Sequence, residues 1–374
     1  MGKGSPIDVR VRESAQAREL HVTACPRPGA APQEQAKAMF SGIGDVLRGH
    51  GARIIQERIL AAPDLMDMLA SARAGAYAGL DDGVPPSWLV VPPGLAGPIA
   101  GAQVHAVAGC PAPEVLRLEG AARGRVLQAG SLRYVIGSNL SADEPAEPSR
   151  QAQSMLAKAE RLLSLAGGSL FNVARTWMWL GDILEWYADF NRVRNRFFTE
   201  RGLLNNNGNG RLPASTGIGI GPAGKFKCSM DLCGVIGVGH EIEYLLAGGN
   251  QGPASEYGSA FSRAAAAVTP AGKTVFVSGT AAVSERGETM HRGDARAQIQ
   301  DTIKNVLAVL RDTGCDETDV VQAIVYCKNV EVEKAFRDSQ GDLSWPHIIT
   351  IADICRPDLL FEVEATAMPG AKPA

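Results

Sequence analysis

The chain has 374 residues, 45% of them hydrophobic, enough for one large core or for more than one domain. Thirty-seven Lys and Arg against 40 Asp and Glu leave a formal charge of -3, which argues against the basic surface that a nucleic-acid partner needs. Seven cysteines, an odd number scattered without a CxxC pair, argue against a disulfide framework or a zinc site and suit reduced thiols.

The first residues, Met1 to Pro6, are not followed by an apolar run, and the most apolar text, Trp88 to Gly109, is broken by Pro and Gly. The expectation is a soluble cytoplasmic protein with no membrane partner. Gln33 to Leu47 predicts an amphipathic helix after Pro32, Ala52 to Leu60 a strand, and Pro63 to Ala74 a second helix. Gly75 to Arg125 is rich in Pro and Gly and predicts strands joined by ordered loops.

From Leu132 the pattern sharpens. Leu132 to Ile136 predicts a strand, Pro148 to Ala166 a helix closed by Gly167-Gly168, Phe171 to Leu180 a strand, and Gly181 to Arg201 a helix. The same series then returns: strand Thr274 to Val277, helix Asp294 to Thr313, strand Val320 to Cys327, short helix Glu331 to Ser339. Ala174 and Ala323 stand 149 residues apart, as do Trp177 and Tyr326, so the middle strands superpose without a gap. Pro213-Ala214-Ser215-Thr216 likewise answers Pro346-His347-Ile348-Ile349. The repeat implies an α+β protein with mixed sheets backed by helices, divided at the Gly-rich loop from Ala247 to Tyr257.

The chain closes on Cys355-Arg356-Pro357-Asp358-Leu359-Leu360-Phe361-Glu362-Val363-Glu364-Ala365, a turn followed by a strand that puts Glu362 and Glu364 on one face and Phe361, Val363 and Ala365 on the other. Spacing alone reads the two carboxylates as a solvated strand edge and the lone Cys355 as a small buried hydrophobe. Gly217-Ile218-Gly219-Ile220-Gly221 is followed by a strand pattern from Lys225 to Ile236 where a dinucleotide fingerprint needs a helix. The six histidines, His240 among them, show no HxxxH spacing. The aromatic group Trp177, Trp179, Trp186, Tyr187 reads as core between strand and helix. No cofactor and no metal are expected.

Several separated motifs resemble a known family. Asp189-Phe190-Asn191-Arg192-Val193-Arg194, Val275-Phe276-Val277-Ser278-Gly279-Thr280 and Phe361-Glu362-Val363-Glu364-Ala365 are similar to the YjgF family of small trimeric imine deaminases. Two copies in one chain, with Ala174-Arg175-Thr176-Trp177, Pro213 to Gly219 and Phe261-Ser262-Arg263-Ala264, resemble the chorismatases more closely. Where the deaminases carry a carboxylate-clamping arginine after their Pro-Ala pair, this chain has Ser215 and Ile348, and neither can make the charge-assisted bond. The resemblance implies two side-by-side YjgF-like lobes: residues 1–130 completing the first, 131–250 the first repeat, 251–374 the second repeat with the catalytic strand.

What the resemblance implies about chemistry is specific. Glu362 matches the family's acid, which protonates the enolpyruvyl methylene of chorismate and must therefore be neutral in a dry pocket. Gly279 paired with Cys355 matches the 3-hydroxybenzoate branch, giving 3-hydroxybenzoate and pyruvate; the simple hydrolase branch, giving a dihydroxycyclohexadienoate, has alanine at both positions. Cys355 would orient the ring or accept its proton, and Gly279 would leave room for the ring and the Cys355 sulfur. Arg263 and Tyr257 would hold a carboxylate. Arg175 either meets substrate or pairs within the protein; Thr216 and the amides of Gly217 and Gly219 form either an anion nest or a plain turn; Gln298 either hydrogen-bonds substrate or lies on a solvated helix face. Glu364 is expected as a supporting or surface residue. The rival expectations are the hydrolase, a mixed 3-/4-hydroxybenzoate producer, and a non-catalytic binder of small molecules; monomer and trimer are both compatible with a fused repeat.

Overall fold

The computed structural model describes residues 6–205, 210–237, 239, 241–339 and 343–374. Residues 1–5 and His240, read above, lie outside the described residues. The chain runs β1 (Ile7–Glu13), β2 (Arg18–Ala24), α1 (Pro32–His50), β3 (Arg53–Ala61), α2 (Met66–Ala76), β4 (Ser87–Val90) and β5 (Ile99–Ala108). A second series follows: β6 (Glu114–Leu118), β7 (Ala121–Ala129), β8 (Leu132–Ser141), α3 (Pro148–Leu165), β9 (Val173–Leu180), α4 (Ile183–Glu200), β10 (Ala214–Ile218), β11 (Gly221–Pro222) and β12 (Cys228–Ile236). The third comprises β13 (Ile242–Leu245), β14 (Ala264–Thr269), β15 (Gly272–Ala281), α5 (Ala295–Asp312), β16 (Val320–Cys327), α6 (Val330–Ser339), β17 (His347–Ile351), β18 (Phe361–Ala367) and β19 (Lys372–Pro373).

The strands form three mixed sheets, ordered β11-β4-β3-β5-β2-β1-β19, β10-β9-β12-β8-β7-β6 and β13-β14-β15-β18-β16-β17. Each contains the same unit: a hairpin, a helix, a strand, a second helix, a strand parallel to its predecessor, and a returning strand inserted antiparallel between the two halves. The α+β class with helices packed on mixed sheets is thus as the sequence implies, and the unit occurs three times. The boundaries differ from expectation accordingly. Residues 7–108 supply five of the seven strands of the first sheet, with β11 and β19 at its edges, and do not complete the first lobe; β6 and β7 pair onto β8 in the second sheet, and β13 pairs with β14 in the third. The sequence hides the first copy because its hairpin and central strands share no residue motif with the other two, while strand pairing depends on alternation alone.

Local rules account for the helices. Pro32 and Pro148 occupy first-turn positions where their missing N–H is not needed. Asp294 accepts a hydrogen bond from Ala297 N at 3.0 Å and starts α5, whose buried Ile299, Ile303, Val306, Val309 and Leu310 form one stripe against the third sheet. Each sheet has its own core under its helices. The opposite faces meet in a shared central core that includes Ile55 and Leu89 of the first sheet, Tyr134 and Trp179 of the second, and Phe276 and Tyr326 of the third. Trp177 and Trp179 belong to this central core, Trp186 to the one under α3 and α4. Among the described residues no helix is long and apolar enough to cross a membrane.

Candidate functional site

β18 explains both faces of the closing stretch. Phe361, Val363 and Ala365 point into the core beneath α5, so by alternation Glu362 and Glu364 point toward the other two sheets. They are 5% and 4% exposed, which overturns the solvated-edge reading of spacing and the surface reading of Glu364. Bulk solvent barely reaches either carboxyl, and their environments then separate them.

Glu364 is held by donors on all sides: Arg175 Nη2 donates to it at 2.8 Å, Trp177 Nε1 at 2.9 Å and Arg58 Nη1 at 3.4 Å. Arg175 also donates to Thr216 Oγ1 at 2.5 Å, and that oxygen accepts from Gly279 N at 3.0 Å. Of the two alternatives for Arg175, the structure therefore contains the internal ion pair, and neither Arg175 nor Thr216 lines the cavity described next. Gln298 is fully buried, donates to the carbonyl of Asp358 at 2.9 Å and accepts from Leu360 N at 2.8 Å. It fixes the turn before β18 and is neither on a solvated face nor at the cavity wall.

Glu362 instead opens on a cavity of about 390 Å3 between the second and third sheets, a size suited to a small organic ligand. Cys355, Gly279, Arg263 and Tyr257 line the same cavity. Among the described residues no hydrogen bond reaches the Glu362 carboxyl. Burial first, then the Glu364 charge, push it up to about 8, against an opposing pull from Arg175. It is a carboxylic acid that keeps its proton at neutral pH. The Cys355 thiol is pushed up to about 12 by burial and by Glu362, so it is a neutral donor there, and the expectation that it accepts a ring proton does not suit it.

Gly279 bears on Glu362 more directly than on the sulfur. A Cβ at Gly279 would stand 2.2 Å from Glu362 Oε1 and 3.1 Å from its Cδ; the space left by the missing side chain is filled by the acid's own carboxyl. A second close approach at Gly219, whose N–H donates to the Asp353 carbonyl at 2.8 Å, ties the end of β10 to the loop that carries Cys355.

The cavity is rich in unpaired cations. Arg263 is 2% exposed, donates Nε and Nη2 to the Gly252 carbonyl at 3.0 and 2.7 Å and Nη2 to the Tyr257 hydroxyl at 2.6 Å. Arg194, on α4, is 1% exposed, donates to Asn191 Oδ1 at 2.6 Å and keeps an unpartnered Nε. Phe261 stands between them, 5.5 Å from one guanidinium and 5.9 Å from the other. Among the described residues neither has a carboxylate within 4.0 Å. Arg356 donates to the Gly287 carbonyl at 2.6 Å and lies 5.3 Å over the Tyr257 ring. Buried cations without counter-charges are costly, so a ligand carrying carboxylates would complete this site.

Arg194, Tyr187, Asn191 and Arg356 were not singled out from sequence as site residues. A signal existed: Leu184, Tyr187, Ala188, Asn191 and Arg194 form one helical stripe that ends in polar groups, although Arg194 reads on spacing alone as an ordinary surface charge.

A different cluster could be mistaken for a metal centre. Glu19, His21 and His105 bring ligand atoms within 4.8 Å of one another across strands, where no HxxxH spacing reveals them. The two imidazoles stack at 4.2 Å with planes 15° apart, so their in-plane lone pairs run side by side and do not converge. Glu19 is occupied by His105, Thr269 and Ala271 N. These residues do not fit a bound ion.

Known proteins resemble the chain in three ways. Residues 257–368 match the family model described as Endoribonuclease L-PSP. A 3-hydroxybenzoate synthase from Streptomyces hygroscopicus is 30% identical over 228 residues, which is 53% of this chain and 64% of that protein, so the match spans less than two thirds of its length. The crystal structure of a chorismatase superposes with a TM-score of 0.58 at 18% identity, covering 98% of this chain and 100% of the other, a likeness of fold. The chain is thus similar to a chorismatase in fold over its whole length, and to a 3-hydroxybenzoate synthase in sequence over part of it.

Proposed function

We propose that the chain is an enzyme that converts chorismate to 3-hydroxybenzoate and pyruvate. The observation that carries this reading is a buried carboxyl, Glu362, in a cavity whose two deeply buried guanidiniums, Arg194 and Arg263, meet no carboxylate among the described residues. Chorismate brings two carboxylates and an acid-labile enol ether, which is the complement of that set. The named relative supports the choice of product.

Glu362 donates its proton to the enolpyruvyl methylene, and the adjacent carbon becomes an oxocarbenium centre. Water adds there, and the hemiketal collapses to pyruvate and a ring hydroxyl. Aromatisation then removes the neighbouring ring hydroxyl as water together with one ring hydrogen, so the water consumed is returned and the atoms balance. Glu362, ionised by its first transfer, is the base within the cavity that recovers this proton, because Cys355 remains a thiol. Cys355 orients the ring as a donor, and Arg263 with Tyr257 holds one carboxylate while Arg194 holds the other.

Incubation of the purified chain with chorismate, followed by chromatography and a pyruvate assay, tests the reading. Equal amounts of pyruvate and 3-hydroxybenzoate are expected. Pyruvate with a non-aromatic diol would make the chain a hydrolase, and unchanged chorismate would reduce the cavity to a binding site.

A further inference from the structure

Two carboxyls two residues apart on β18 face the same way and are both buried, yet only one lacks partners. Glu362 takes no hydrogen bond among the described residues and reaches the cavity. Glu364, one pleat deeper, receives Arg175, Trp177 and Arg58 from the other two sheets. Two guanidiniums and an indole N–H thus meet the Glu364 carboxyl, and the Arg175 guanidinium is turned by Glu364 and Thr216 toward the interior. Tyr326 pairs with Glu362 across β16 and β18, and its buried hydroxyl has no partner among the described residues. Tyr326 therefore donates a hydrogen bond to neither carboxyl.

We propose that Glu364 is a positioning residue: its fixed negative charge, clamped by Arg175 and Trp177, keeps the neighbouring Glu362 carboxyl loaded with the proton that the cleavage step consumes. The inference rests on the reading of Glu362 as the acid. In a dry interior a second anion on the same strand face, beside a carboxylate already paired with two guanidiniums, is strongly disfavoured. The burial of Glu362 and the Glu364 charge act in the same direction, and Arg175 opposes them.

The other groups around Glu362 do not replace this arrangement. Tyr326, Tyr187, Tyr257 and Cys355 are all raised by burial and stay neutral. Arg194 on α4, Arg263 before β14 and Arg356 before β18 are cations on the cavity side and favour ionisation of the acid, more so before a substrate carboxylate covers them. Glu364 is the anion behind the acid that counters them. Substrate carboxylates on Arg194 and Arg263 would add to its effect, so the acid is most securely protonated when it is needed.

The test is a titration of Glu362 itself in substrate-free protein, following the infrared carbonyl band of the protonated acid, identified as the band absent from Glu362→Gln. The wild-type midpoint is expected near 8. Glu364→Gln should move it down by at least one pH unit, a tenfold loss of protonated acid at alkaline pH; Arg175→Gln should move it up; Glu364→Asp should leave it near the wild-type value. With chorismate, the alkaline limb of kcat should follow the same displacements while KM changes little.

An unmoved midpoint in folded Glu364→Gln, or displacements of the same sign in the two charge-removing variants, overturns the proposal. If Glu364→Gln does not fold, Arg175→Gln decides: an upward displacement supports the proposal and an unchanged midpoint overturns it. Absence of turnover by the wild-type chain would sink the proposed function while the infrared midpoints still decide the role of Glu364.

Discussion

Glu362 and Gly279 occupy one another's space, and that is the clearest statement of chemistry at the scale of single residues. Replacing Glu362 with Gln retains size and removes the transferable proton, so kcat on chorismate should fall by about 10²–10⁴-fold with the fold intact. Steady-state kinetics beside a circular dichroism spectrum checks this, and wild-type turnover by Glu362→Gln would remove the acid from its role. Gly279→Ala acts differently. The new methyl would overlap Glu362 Oε1, and because that oxygen is the tip of a flexible side chain, the carboxyl swings into the cavity and the protein still folds. A misplacement of about 1 Å costs on the order of 10²-fold in a positioned proton transfer. The expected outcome is reduced kcat with less aromatic and more diol product in the chromatogram; an unchanged product ratio would mean that the acid's position does not steer the outcome. Glu362, Cys355, Gly279 and Arg263 were legible because they stand at positions that resemble a family's, and Tyr257 because a phenol at a loop edge precedes Arg263. Arg194 too stands in a motif that resembles a family's, but a charged residue on a helix declares its burial only once the second and third sheets are brought together.

Among the elements, the turn from Cys355 to Leu360 is the joint that aims β18. Gln298, from the first turn of α5, satisfies both the Asp358 carbonyl and the Leu360 amide. Gln298→Ala would leave both backbone groups buried without a partner, at a cost of about 1–3 kcal/mol. A lower denaturant midpoint with an unchanged m-value is expected, with kcat reduced because Cys355 and Glu362 flank the loosened turn; an unaltered midpoint would show that the turn holds without the glutamine. Strong periodicity made most elements legible: β16 has the predicted bounds, and α3, α4 and α5 fall within two residues of theirs. The central strands Val173–Leu180 and Val320–Cys327 are buried along their whole length and start 147 residues apart, so Ala174 corresponds to Val321 and Trp177 to Ile324, and the 149-residue spacing read from the sequence is two residues out of register. The first copy escaped recognition although its helices and β3 were predicted close to their observed positions. Where the sheets meet, the first copy presents Arg58, whose guanidinium stacks 4.1 Å from the Trp177 ring, and a strand with an arginine at a core-facing position does not look like a repeat of two largely apolar ones.

On the scale of the whole molecule, three sheets close around a core that is not purely apolar. Arg58, Arg175 and Glu364 come one from each sheet, and both arginines donate to the Glu364 carboxyl inside it, so the charges that hold the sheets in register also lie behind the acid. Such a centre makes folding stability depend on pH through Glu362. Its ordinary value of 4.5 rises to about 8 in the folded chain. Below pH 4.5 folded and unfolded chains both hold the proton, and the stabilisation is complete. Between 4.5 and 8 the unfolded chain releases it and the folded chain does not, so stability falls by about 1.4 kcal/mol per pH unit and the loss is complete above 8. The sum is about 4–5 kcal/mol, an upper figure for one buried carboxyl. Glu362→Gln has no proton to lose and removes this slope, while other titrating groups contribute equally to both proteins. The inactive variant should therefore match the wild type in thermal stability near pH 4 and exceed it progressively from pH 6 to pH 9. Paired melting curves across that range measure the difference, and parallel pH dependences would mean that Glu362 is ionised at neutral pH and could not be the proton donor.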